Sequence, residues 1–67
     1  MGNPINLSEL PLLARVADLE RVLPYRKTWI WAAARDGRFP RPVKLSHACT
    51  VWRRQDIEVW LAERLSP

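Results

Sequence analysis

Arg26, Lys27, Thr28, Arg35, Arg38, Arg41 and Lys44 crowd into one short stretch of the chain, with Asp36 the only acid among them. Guanidinium forks grip phosphates or a guanine edge in bidentate fashion. Ammonium groups act as point charges, and a Thr hydroxyl reaches phosphate or base edges. Residues of these types in this density suit recognition of a polyanion such as nucleic acid. They do not suit bond-making. His47 is the single His and Cys49 the single Cys, so no Ser/His/Asp or Cys/His catalytic set can be assembled. Zinc takes about four ligands, and His47 with Cys49 falls short of that. No Gly-rich phosphate loop exists. The expectation is a chain with no catalytic residues, metal or cofactor, and not an enzyme.

With 67 residues the chain has room for one domain around one small core. Four Trp supply large pieces of buried area. The net charge is +4, but it is unevenly spread. Between Arg26 and Arg54 eight basic residues face one acid, a balance of +7. Elsewhere Arg15, Arg21 and Arg64 face six acids, a balance of −3. A basic middle between acidic ends fits an anionic partner, although a solvated charged surface gives the same count. No apolar run is long enough to cross a bilayer and the N-terminus lacks a signal-peptide layout. With one unpaired Cys, the expected setting is a reducing cytoplasm, with no membrane partner.

The elements that must carry the basic residues follow from periodicity. Residues 1–11 read as a flexible arm, and 12–67 as the folded domain. "LLARV" is a short extended lead-in. Val16, Leu19, Val22 and Leu23 share one face of a first helix, which Pro24 ends unless it opens the next one. In "RKTWIWAAARDG", Ile30, Ala33 and Ala34 face the core. Thr28, Trp31, Ala32 and Arg35 fall opposite, with Lys27 and Trp29 on the flanks. Gly37 is a natural left-handed cap. Phe39 plugs the core beneath the helix exit. Pro40 and Pro42 stiffen a strap that projects Arg38, Arg41 and Lys44. "VKL" and "CTVW" form a two-stranded wing. Ile57, Trp60, Leu61 and Leu65 line a last helix. The fold class is mainly α: a small winged helix-turn-helix, in the order helix, helix, wing, helix.

These residues resemble a known family. "VADLERVLPYRKTWIWAAARDGRFPRPVKL…VWRRQDIEVWL" is similar to the AlpA-type prophage regulators, which belong to a MerR-like winged-helix group that includes phage excisionases. The resemblance runs from about Leu13 to Leu61. It is most specific at Gly37-Arg38-Phe39-Pro40, Pro42-Val43-Lys44-Leu45, Trp52 and Trp60-Leu61. It implies a small DNA-binding protein whose second helix enters the major groove while the wing lies along the backbone or minor groove. On this chain the start of the reading helix maps to Arg26, Lys27 and Thr28, and the family's usual aromatic maps to Trp31. Three positions depart from the pattern. Pro24 stands for the usual turn Gly, and Arg26 for a Ser N-cap. Ala48 stands for an Arg near the wing tip, which transfers wing contact to His47 and Lys44.

The expected interface is therefore Arg26, Lys27, Thr28, Trp31 and Arg35 on the second helix, with Arg38, Arg41, Lys44, His47, Arg53 and Arg54 on the strap and wing. Two of these assignments have a structural alternative. Trp31 either touches a sugar or thymine methyl or folds back onto Tyr25 or the wing. Arg53 and Arg54 either bind phosphate or pair with Asp56 and Glu58. Trp29 reads as core or as a dimer contact. The expected function is sequence-specific control of transcription in a prophage or mobile element, on double-stranded DNA, as a dimer or cooperative row. An excisionase that bends attachment-site DNA beside an integrase would use the same residues. A phage-coded protein-binding module would keep the fold without the DNA function.

Overall fold

The computed structural model describes residues 7–65. After a 3-10 turn at Leu7–Glu9, the order is β1 (Leu13–Ala14), α1 (Val16–Val22), α2 (Lys27–Asp36), β2 (Val43–Ser46), β3 (Cys49–Arg53) and α3 (Arg54–Leu65). This is a small winged helix-turn-helix, mostly α, with the wing enlarged. β1 pairs antiparallel with β3, so the sheet has three strands in the order β1-β3-β2 rather than the two expected. The lead-in strand thus ties the front of the chain to the wing. The Leu12 carbonyl extends the tie by accepting from the Arg54 amide, at 2.9 Å.

Each helix end has a chemical cause. Asp18 accepts the Arg15 amide at 3.0 Å and so caps α1 from within its own first turn. Pro24 follows an extended Leu23, and the helix stops there. α2 ends where Gly37 adopts φ 84°. The amide of Arg38 then reaches back to the Ala33 carbonyl at 2.8 Å, closing a Schellman turn. β2 and β3 pair through Val43 with Val51 and Lys44 with Thr50, with a bulge between Lys44 and Ser46 and a turn at His47-Ala48.

The core is built from Leu10, Ala14, Leu19, Leu23, Ile30, Ala33, Ala34, Phe39, Trp52, Ile57 and Leu61. Leu19, Leu23, Ile30, Ala33, Ala34, Ile57 and Leu61 lie on the anticipated inward faces, whereas Val16, Val22 and Trp60 are only partly buried against the core. Leu10 is only 1% exposed, so the domain begins before residue 12. The expected arm over 1–11 is shorter by at least the turn and Leu10; residues 1–6 lie outside the described residues. Leu65, expected on the apolar stripe of α3, is 73% exposed. It sits in the final turn of α3, past the last core residue of that helix, Leu61.

Candidate nucleic-acid interface

α2 turns Ile30, Ala33 and Ala34 into the core. At about 100° per residue, its outward line is then Thr28, Ala32 and Arg35. Trp31 lies on the flank toward the wing and Trp29 on the flank toward α3. The two flanks differ. Trp31 is 42% exposed and leans on the fully buried Trp52 of β3, with ring centroids 5.0 Å apart. The folding back onto the wing is the arrangement found, against β3 rather than Tyr25, and one face of the indole stays open. That face borders an open cleft of about 410 Å³ lined by Trp31, Ala34, Arg35, Arg41 and Pro42. Helix and strap thus bring two guanidiniums and an indole together.

Trp29 is half-buried. It stacks on Tyr25 at 4.0 Å and meets Phe39 edge-on at 6.1 Å. Trp60 joins the same cluster, 4.8 Å from Phe39. Trp29 is therefore packed against the core, as one of its two readings had it.

The basic residues divide in the same way. Arg38 does not project from the strap toward the wing side. Its guanidinium pairs with Asp36 at 3.1 Å and lies 5.7 Å from the Trp29 ring. Arg53 binds both oxygens of Asp56, at 3.0 and 3.4 Å. Arg54 lies 3.8 Å from Glu58 and donates to the Leu10 carbonyl at 3.0 Å. For Arg53 and Arg54 the carboxylate alternative is the arrangement found. Among the described residues, Arg26, Lys27, Arg35, Arg41 and Lys44 make no ion pair. All five are exposed, on the start and outer side of α2, the strap and the wing. His47 is exposed in the wing turn, and the Cys49 sulfur accepts a contact from Arg15 at 3.2 Å.

Three holding interactions escaped the sequence reading. The Trp52 indole N–H donates to the Pro40 carbonyl at 2.7 Å. The Trp60 indole N–H and the Arg64 guanidinium both donate to the Arg38 carbonyl, at 2.9 and 3.1 Å. The strap is thus fastened from β3 and α3 as well as stiffened by its prolines. A buried indole needs a partner for its N–H, and strap carbonyls outside any ladder are the natural acceptors. That was the available signal. The missing side-chain cap at Arg26 is also made good. Glu20 of α1 accepts the Lys27 amide at 2.8 Å.

Residues 13–65 match the family model described as the prophage CP4-57 regulatory protein (AlpA). The chain belongs to the AlpA family. The match spans β1 through α3 and therefore contains α2, the strap, the wing and every cation discussed above. Leu10 and the 3-10 turn lie ahead of the matched residues. No curated protein and no solved structure matches the chain. AlpA proteins are prophage regulators, and the winged helix-turn-helix found here is consistent with that role. Among the described residues no group of three or more His, Cys, Asp or Glu is placed to hold a metal ion, and no helix is long and apolar enough to cross a membrane.

Proposed function

We propose that this AlpA-family chain binds double-stranded DNA sequence-specifically and controls transcription in a prophage or other mobile element. The observation that carries the reading is the division of the cations. Among the described residues, five have no ion-pair partner on α2, the strap and the wing, while Arg38, Arg53 and Arg54 have carboxylate partners.

In this reading α2 lies in the major groove. Lys27, Thr28 and Arg35 reach base edges, with Arg26 beside them at the helix start. Trp31 touches a deoxyribose or a thymine methyl from its open face. Arg41 and Lys44 hold phosphates, and His47 meets the backbone at the wing tip. Arg38, Arg53 and Arg54 contribute little charge to DNA. One module of this size covers little of a duplex, so two or more copies act side by side.

Fluorescence anisotropy on the DNA upstream of its own gene and on an unrelated duplex, across a salt series, tests this. The two phosphate-holding cations, Arg41 and Lys44, predict a slope of log K against log salt of roughly −1.8 per copy, with tighter binding to the upstream DNA. Equal affinity for both duplexes overturns specific recognition, and no binding at low salt overturns DNA as the partner.

A further inference from the structure

We infer that Glu20 sets the specificity of the reading helix: it holds the α2 N-terminus in place and keeps DNA phosphate away from it. The inference rests on the DNA-binding reading above. Helix starts leave N–H groups without intrahelical partners and carry partial positive charge. α1 meets this locally through Asp18, three residues from the amide it caps. α2 has no such means. Its N-cap is Arg26, which has no acceptor, and its first turn contains no acid. Glu20 reaches across from α1 and accepts the Lys27 amide at 2.8 Å. The cap is therefore an inter-helix bond. It docks α2 on α1 in addition to the packing of Leu19 and Ile30, both in the core.

The charge has a second consequence. A helix N-terminus flanked by basic residues is a ready phosphate site, and here Arg26 and Lys27 flank it. A phosphate seated there would anchor the protein on any sequence. The Glu20 carboxylate already occupies one of the amides that such a phosphate would use, and sets a negative charge beside the others. No side-chain cation among the described residues neutralises it. It shares a shallow cleft with Leu23, Pro24, Tyr25 and Arg26 at the α1–α2 turn. Non-specific anchoring at the start of α2 is thereby suppressed, and base contacts farther along the helix weigh more.

Glu20→Gln keeps an oxygen acceptor and removes the charge, while Glu20→Ala removes both. The full chain carrying each change is compared with wild type by thermal unfolding, by the NMR shift of the Lys27 amide proton, and by anisotropy on the two duplexes. Glu20→Gln should leave the unfolding temperature near wild type and bind the unrelated duplex about threefold to tenfold more tightly, so that selectivity falls. Glu20→Ala should move the Lys27 amide proton upfield. Unrelated-duplex affinity unchanged in Glu20→Gln at low salt overturns the exclusion of phosphate. An unmoved Lys27 amide in Glu20→Ala overturns the cap. A wild-type chain that binds no duplex overturns the DNA reading and the exclusion together, and the amide shift alone then decides whether Glu20 holds the helix.

Discussion

Trp29 and Trp31 sit two residues apart on one helix and meet opposite surroundings. Trp29 is enclosed by Tyr25 and Phe39, beneath a guanidinium that already has its carboxylate. Trp31 has one neighbour ring, Trp52, and opens on a cleft between two guanidiniums with no carboxylate partner. On the flank toward α3 the aromatic rings pack against one another and the Arg38 guanidinium has its carboxylate. The flank toward the wing is unfinished, with apolar surface and positive charge both left available. A small domain can separate stability from recognition in this way, on two sides of a single helix.

The comparison breaks if the two indoles behave alike. Trp29→Ala should cost about 2–3 kcal/mol of stability, somewhat less than the truncation of a fully buried Trp. Trp31→Ala loses chiefly the contact with Trp52, about 1 kcal/mol. Binding should rank the other way. Trp31→Ala should weaken DNA binding about tenfold, equivalent to about 1.4 kcal/mol, and Trp29→Ala should change it little while the protein remains folded. Urea unfolding and anisotropy on the same two variants decide the matter. Equal stability losses would mean that Trp31 is a core residue with an accidental open face.

How much of this was legible depends on distance along the chain. The α2 core face needed only the 3.6-residue period, and Gly37 only the left-handed geometry of a helix exit. Arg53 with Asp56 and Arg54 with Glu58 have i,i+3 and i,i+4 spacing, so their pairing was visible as an alternative, though a charge count could not choose it. Other features were hidden because their partners lie far away. Ala14 joins the sheet opposite Trp52, a two-residue strand too short for any periodic signal. Glu20 caps a helix that starts seven residues later, across a proline turn. The indole N–H groups of Trp52 and Trp60 bind strap carbonyls, whereas both side chains read simply as apolar stripe. Arg38 looked like part of the strap's charge, and only the position of Trp29 shows where it goes.

Gly37 is the junction where the chain leaves α2 and becomes the strap between the two flanks. An added Cβ there meets nothing within 4 Å, so Gly37→Ala isolates the backbone cost. With φ at 84°, that cost should be about 1–2 kcal/mol, with no change in the denaturant slope. A neutral substitution would mean that the helix exit can relax, and that the strap is held by its side-chain fastenings alone.

The smallest effects sharpen the division of charge. Arg41→Ala removes a free cation from the open cleft. It should flatten the salt slope by about one unit while leaving stability nearly unchanged, because the side chain has no ion-pair partner among the described residues. Arg53→Ala removes a cation of equal formal charge that is held by Asp56. The pair is largely solvent-exposed on the Arg side, at 62%, so stability should fall by under about 1 kcal/mol, and the salt slope should stay at the wild-type value. The two variants have the same net charge, so any theory of binding that counts charge alone requires them to behave alike. If Arg53→Ala flattens the slope as much as Arg41→Ala, Asp56 gives up its partner to phosphate on binding, and the paired flank belongs to the interface after all.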